Sequence, residues 1–332
     1  MSTRRLSPVA VTPPVNLRHT SPTTAHPFAG ARTAGERRRH LTDRVIAVVL
    51  AGLVVVALIP LVSLLWMVAS RGYERLSPYF LTVSMNGVYG GMDAGGIYHA
   101  ILGTVEVTGL ATAISVPIGI AVAVYLVEYG AASRLARLTT FLVDVMTGIP
   151  SIVAGLFAAA VFALLVSPAY RAGIIGAVAL SILMIPTVIR ASEEMLRLVP
   201  QDLREAAYAL GVPRWRTVIF VVLRSVVAGL TTSVMLAIAR VIGETAPLLV
   251  TVGVIDSINR NPFDGRMMTL PVLIYRQYSQ GMAPCAATAE SCIPTINYDR
   301  AWAAALVLIA IIMILNLVAR LIARRLCVAG KR

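Results

Sequence analysis

Charge is scarce in this sequence. Only 14% of its 332 residues are Asp, Glu, Lys or Arg, where a soluble domain carries about 25%. With 58% hydrophobic residues, a soluble fold of this size has too little polar surface to cover itself, which argues against a soluble enzyme. Catalytic signatures are missing as well. The chain has no G-x-x-x-x-G-K-[ST] loop to cradle nucleotide phosphates, no H-E-x-x-H and no G-x-S-x-G. Of the four histidines, His19, His26 and His40 fall in the first 43 residues, and His99 has no neighbour with metal-ligand spacing. No metal site and no catalytic residue is expected. Acidic residues are few, 16 against 29 basic, giving a net charge of +13. No basic patch interleaved with aromatics accompanies that excess, so nucleic-acid binding has no support.

What is present is long apolar segments. A helix needs about 20 apolar residues to cross a bilayer core. Residues 45–70 contain no charge, nor do 107–127, 145–170, 172–189 and 301–319, and a further segment, 225–252, is interrupted only by Arg240 and Glu244. The expected fold is therefore an all-α polytopic membrane protein with six transmembrane helices over 44–326. The segment MMTLPVLIY (267–275) is too short to span and reads as interfacial or re-entrant. Residues 1–43, rich in Pro, Ser, Thr and Arg, read as a disordered basic tail. The first apolar run starts too late and is too long for a cleaved signal.

Six spans with the N-terminus inside place Arg and Lys unevenly. Eight fall in 1–44, two at Arg134 and Arg137, six from Arg190 to Arg224 and five from Arg320 to Arg332, so 21 of 29 lie on the inner side. Cytoplasmic loops collect such charge, so both termini are expected in the cytoplasm. The multi-pass chain then belongs to the cell's inner (plasma) membrane. Cys285 and Cys292 fall in the outer loop 253–300. They form either a disulfide closing a small loop or two unpaired thiols, and Cys327 lies inside.

The largest inner loop, 190–216, has its own punctuation. Pro200 opens a helix-forming stretch, QDLREAAYAL, which Gly211 closes before Pro213 starts the next helix. Ala206, Ala207 and Ala209 keep this short helix slim. It is either a connector or a helix that enters a groove on another protein.

The stretch EAAYALGVPRWRTVIFVVLR resembles the EAA loop of binding-protein-dependent ABC importer permeases. It matches that pattern at Glu205, Ala206, Ala207, Gly211 and Leu223, and departs from it at Val221 and at Arg224, where proline is usual. VDVMTGIPSIVAGLF (143–157), ALSILMIPTVIRASEEMLRLVP (179–200) and ARVIGETAPLLVT (239–251) are similar to the A-type permease subunit of phosphate-specific Pst importers. That resemblance covers about 95–325, with the core permease region at about 95–322. It implies a type I ABC importer permease fold. It implies a coupling helix carrying Glu205, Ala206, Ala207 and Gly211 that docks on a separate ATPase. The implied partners are a second permease, two ATPase subunits that bind ATP, and an extracytoplasmic phosphate-binding protein. No cofactor is expected in this chain. The rivals are another oxyanion or small solute as cargo, or an ATPase-independent channel or transporter.

Charges inside a span are costly and mark a pathway or a pair. Arg240 and Glu244 are spaced i, i+4 and are expected on one helix face. They are either a structural salt bridge or, with the resemblance, a phosphate-contacting arginine held by its carboxylate neighbour, beside Thr245. If Arg224 marks the inner interface, Arg240 lies about 24 Å along the helix, beyond the midplane. Arg190 closes the fourth span beside Glu193 and Glu194, either as an interface anchor or as a contact for departing phosphate. Glu106 and Asp144 are expected near span ends. Pro60, Pro117, Pro150, Pro186 and Pro247 are expected to kink spans one to five, with Gly148-Ile149-Pro150-Ser151 the best candidate for a bent segment.

Overall fold

The computed structural model describes residues 34–130, 133–285 and 292–329. Contacts divide the chain into two units, Met1–Leu61 and Val62–Arg332. Helix α1 (Ala34–Arg75) runs through the boundary. Of the tail expected over 1–43, residues 1–33 lie outside the described residues, and α1 begins ten residues before that expected boundary. From Val45 to Leu61 it is apolar around the whole circumference, with Val48, Val54 and Val56 all exposed. A helix of that kind is at home in lipid and nowhere else.

The second unit continues α1 and is helical among the described residues, apart from one isolated β-bridge between Met92 and Cys292. Its further helices are α2 (Pro78–Thr82), α3 (Tyr98–Val124), α4 (Arg134–Thr147), α5 (Ser151–Leu165), α6 (Gly173–Arg197), α7 (Gln201–Ala209), α8 (Arg214–Arg216), α9 (Leu223–Val241), α10 (Ala246–Thr251), α11 (Leu270–Gln280) and α12 (Ile296–Ala329). Two π-helical turns, Tyr125–Tyr129 and Thr217–Val222, extend α3 and lead into α9. Helices α3 and α6 form the largest pairing, and α9, α11 and α12 pack around them. The core joins Val107 and Ala111 of α3 to Leu180 and Met184 of α6, with Ala237 of α9 and Ala304 of α12. Lipid drives no apolar association between spans, so small residues must let backbones approach. A Cβ on Gly119 would lie 2.6 Å from Val188 Cγ1, and one on Gly103 would lie 2.1 Å from the Met268 carbonyl oxygen.

Among the described residues five helices are long and apolar enough to cross a membrane: Leu41–Arg75, Tyr98–Tyr129, Gly173–Arg197, Arg214–Val241 and Ile296–Ala323. The sixth expected span is not one straight helix. Over the expected 145–170 the chain turns by 106° between α4 and α5, which count as one span only if taken as a broken pair. The cause is local. Gly148 caps α4, and Pro150, with an extended backbone, starts α5 and denies it a continuous hydrogen-bond ladder. Helix α5 has 15 residues, about 22 Å, and is too short to span alone. The expected bent segment at Gly148–Ser151 is therefore observed, although Pro150 precedes a new helix here and does not kink a continuous one. Pro247 likewise sits in the first turn of α10, while Pro60, Pro117 and Pro186 lie inside helices. The second span starts at Tyr98, so Glu106 lies within the helix and not near its end. The short 267–275 segment is packed inside the protein. Met267, Met268, Leu270, Val272 and Leu273 are buried in the core, and the Leu270 amide donates to Thr104 Oγ1 at 2.8 Å.

Substituting Gly103→Ala should force α3 away from the Met268 backbone, which cannot yield as a side chain would. The expected cost is about 1–3 kcal/mol, read as a lower melting temperature of the solubilised protein. An unchanged melting temperature would contradict this close approach.

Candidate functional site

At one end of the second unit, α7 is shaped by residues at both of its boundaries. Pro200 precedes it with extended backbone. Gly211 follows in the left-handed region, with φ +74°. The Gly211 amide donates to the Tyr208 carbonyl at 2.9 Å and the Val212 amide to that of Ala207 at 3.1 Å. This is the paired hydrogen-bond pattern of a Schellman cap, which needs glycine at that position. Pro213 then precedes α8, as expected. The run from Arg214 to Val241 counts as a single span, so the position where Arg224 replaces proline carries no break.

Arg204 turns inward from α7. Its guanidinium donates to Glu128 Oε1 from Nε at 3.1 Å and from Nη2 at 2.8 Å. It also donates to the carbonyls of Val199 at 2.6 Å and Leu196 at 3.1 Å. The Glu128 side chain is 4% exposed and that of Arg204 is 15% exposed, so the pair is well shielded from water. Arg214 closes the latch from the other side. It donates to the Glu128 carbonyl at 2.5 Å, and its guanidinium lies 5.1 Å from the Tyr129 ring centroid. Two arginines of one loop thus meet at Glu128, Arg204 at its carboxylate and Arg214 at its main-chain carbonyl, 76 and 86 residues away in sequence. The charge-assisted fork of arginine suits this role better than a lysine point charge.

The other face of α7 has no partner among the described residues. Ala207 is buried, whereas Glu205, Ala206 and Gly211 are exposed. Leu203, Tyr208 and Leu210 are exposed large apolar residues, Leu210 at 83%. Leu203, Ala206 and Leu210 recur at helical spacing and form one apolar stripe. Beside the latch, Glu128, Val199, Gln201, Arg204, Glu205 and Arg214 line part of a cleft of about 650 Å³.

A second ionic cluster joins α4 to α6. Arg190 pairs with Asp144 and donates to Glu193 at 3.1 Å. Arg197 binds the same Glu193 at 2.6 Å, and the Glu193 side chain is 8% exposed. Arg190 is thus engaged by two carboxylates.

Arg240 and Glu244 are arranged differently from the expectation. Helix α9 ends at Val241, residues 242–245 form a turn, and α10 starts at Ala246. The two residues therefore share no helix face, and no hydrogen bond or ion pair joins them among the described residues. Gly243 lowers helix propensity at this point, and Pro247 belongs to the next helix. Arg240 is exposed in the last turn of α9, and Glu244 and Thr245 are half-buried in the break that follows. The two interrupted regions of the molecule meet: a Cβ on Gly155 of α5 would lie 2.6 Å from the Cα of Pro247 in α10.

At the end of α3 away from α7, Cys285 and Cys292 are joined by a disulfide, with Cα atoms 5.7 Å apart. The sequence reading missed Glu128, Arg204 and Arg214 as a unit. Its one available signal was an acidic residue closing a long apolar run, with arginines in the facing loop.

The family described as "Binding-protein-dependent transport system inner membrane component" matches residues 115–327. The chain is 46% identical over 271 residues to the phosphate transport system permease protein PstA 1 of Mycobacterium tuberculosis (strain CDC 1551 / Oshkosh), covering 81% of this chain and 84% of that protein. It is 38% identical over 258 residues to the phosphate transport system permease protein PstA of Pasteurella multocida (strain Pm70), covering 78% and 86%. A chain of a bacterial alginate ABC transporter, solved with an alginate pentasaccharide-bound periplasmic protein, superposes with TM-score 0.58 at 13% identity, covering 87% of this chain and 96% of that one. A chain of the MetNI methionine ABC transporter in an inward-facing conformation gives 0.51 at 18% identity, covering 70% and 94%. These two likenesses show a shared fold.

Replacing Glu128 by Ala would leave the Arg204 guanidinium buried without its carboxylate. Breaking such a pair costs about 3–5 kcal/mol, and the 201–216 segment should become sensitive to trypsin in the solubilised protein. The exchange Glu128→Arg with Arg204→Glu should recover part of the protection. Equal protection of Glu128→Ala and the parent would show that the latch does not hold α7.

Proposed function

The chain belongs to the binding-protein-dependent transport system inner membrane components, and we propose from that premise that it carries inorganic phosphate across the membrane as half of an ATP-driven importer. The relatives named for phosphate transport, matched over most of both chains, support the cargo. The observation that carries the coupling role is α7: a slim helix latched on one side by Arg204 and Glu128, with an unpartnered apolar stripe on the other. In this reading Leu203, Ala206 and Leu210 seat in a groove of a separate ATPase subunit, with Glu205 at the rim. ATP is bound and hydrolysed there, not in this chain. The remaining partners are a second permease of similar fold and an extracytoplasmic phosphate-binding protein.

Orientation follows from charge. The arginine-rich α7 end faces the cytoplasm, as do both termini. The disulfide at the opposite end of α3 then falls on the oxidising side, where such bonds persist. ATP-driven closure of the ATPases displaces α7, and the latch passes the displacement to α3. The break at residues 242–245 lies where irregular backbone is tolerated only beside protein or a water-filled path. Arg240 at its edge supplies the guanidinium an oxyanion needs, with Glu244 and Thr245 beside it. Arg190, held by Asp144 and Glu193, contributes first to holding α4 on α6.

Leu210→Asp together with Leu203→Asp should abolish both co-purification of the ATPase and phosphate uptake, while the permease still assembles in the membrane. Phosphate uptake by cells that lack any cognate ATPase would overturn the proposal in favour of a self-contained transporter. Stronger competition by sulfate or molybdate than by phosphate would change the cargo. Arg240→Gln should reduce uptake at least tenfold with assembly intact. Uptake at the parent's rate would remove Arg240 from the path.

A further inference from the structure

A second polar site lies at the end of the second unit opposite α7. Tyr98 and Glu128 stand at the two ends of α3 and its π-helical extension, about 45 Å apart. Near Tyr98, a pocket of about 440 Å³ is walled in part by Asp256, Arg276, Gln277, Gln280, Asn297 and Arg300. Its rim is fastened. Arg300 Nη2 donates to the carbonyls of Met92 at 2.6 Å and Ala94 at 2.8 Å. The isolated bridge between Met92 and Cys292 and the Cys285–Cys292 disulfide tie the neighbouring loop to the same place.

Two residues of the wall keep a polar atom buried behind it: Gln277 is 2% exposed and Arg300 is 3% exposed, and Gln277 Oε1 and Arg300 Nε have no hydrogen-bond partner among the described residues. Buried polar groups are paired in the great majority of cases, and leaving both an acceptor and a donor unmatched is costly. The volume is many times the roughly 30 Å³ share of a single water, so the pocket has room for a solute. Arg276 and Asp256 face the same space as a paired fork, with contacts of 2.5 and 3.2 Å. Among the lining side chains two guanidinium groups stand against one carboxylate, which favours an anion, while Asp93 and Asp299 act on Arg300 from beside the wall. The side chains offer donors for an oxyanion's bare oxygens and acceptors for a hydroxyl on the same ion. Near neutral pH phosphate keeps at least one P–OH proton, whereas sulfate keeps none.

We infer that this pocket is a binding site for protonated inorganic phosphate on the outer side of the permease, built from Arg276, Arg300, Gln277 and Asp256. The inference rests on the phosphate reading above and adds a subsite about one helix length from the α7 latch. The Arg276 and Arg300 guanidinium groups meet the unprotonated oxygens, with the Gln277 amide beside them. Asp256 accepts from the P–OH group, which discriminates against sulfate.

The test uses the complete transporter, with both permeases, the ATPases and the binding protein, reconstituted in vesicles. Gln277→Leu and, separately, Arg276→Gln should each raise the KM for phosphate uptake about tenfold, the loss expected for one charge-assisted hydrogen bond. Binding of radiolabelled phosphate to the solubilised complex without binding protein should fall in both variants, and sulfate should not displace it from the parent. Gln277→Asn, which keeps the amide, serves where Gln277→Leu fails to assemble, and should weaken binding less. Unchanged KM and unchanged binding in assembled variants would overturn the subsite while leaving phosphate transport standing. Displacement by sulfate as readily as by phosphate would overturn the role of the P–OH proton. A parent complex that neither takes up nor binds phosphate would sink the underlying reading as well.

Discussion

Hydrocarbon offers no partner to a free amide or carbonyl, so a chain crossing it must close every backbone hydrogen bond within helices or hide the exceptions inside protein. Much of this architecture answers that constraint. The unbroken helices Leu41–Arg75, Tyr98–Tyr129, Gly173–Arg197, Arg214–Val241 and Ile296–Ala323 satisfy it alone. The two interrupted regions do not, and the fold brings them together. The short helix after the Gly148–Pro150 break packs on the short helix after the 242–245 break, with Gly155 giving the room. Each interruption is thereby given a protein neighbour on at least one side.

Charge follows the same logic. The Asp144–Arg190–Glu193–Arg197 chain and the Glu128–Arg204–Arg214 latch both lie toward the ends of spans, where arginine forks neutralise carboxylates that would be expensive in lipid. The latch has a mechanical consequence. Because Arg204 is bonded to Glu128 and to the Val199 and Leu196 carbonyls, α7 is tied both to α3 and to the end of α6. Those two helices form the largest pairing in the second unit. A force on α7 therefore reaches the central helix pair directly. The two π-helical turns lie where α3 ends and where α9 begins, next to this junction. A π-helical turn in a membrane helix commonly marks a functional position.

What was legible in the sequence was local chemistry. Pro200 and Gly211 announce α7 because each imposes a backbone geometry by itself. Gly148 and Pro150 announce the bend for the same reason. Five apolar runs announce five spans because lipid leaves few alternatives. The failures have equally specific causes. The i, i+4 pairing of Arg240 and Glu244 assumed a continuous helix, but Gly243 and the proline at 247 end it between them. The span start at Glu106 assumed that a charge marks an interface, whereas α3 begins at Tyr98 and holds that glutamate within it. Glu128 and Arg204 are 76 residues apart, and the outer pocket draws on four separated segments. No local pattern reports such meetings. The extended matches to phosphate-transport sequences announced the family, since they sample many positions at once.

Arg240 shows how these levels combine. In this chain it is exposed, at the end of an apolar helix, without a partner among the described residues. An arginine facing lipid there would cost several kcal/mol or would snorkel to an interface. The nearest carboxylate in sequence, Glu244, has been carried out of reach by the break. The remaining environments are water and another protein chain. Both would be supplied by the arrangement proposed above, in which a second permease encloses a hydrated path against this face. Arg240 and the apolar stripe on α7 are thus the two exposed features that the proposed assembly would cover. The two exposed features lie far apart along the α9 span, which runs from Arg214 beside the latch to Val241. That separation is what a subunit needs if energy is received at one site and cargo is handled at another.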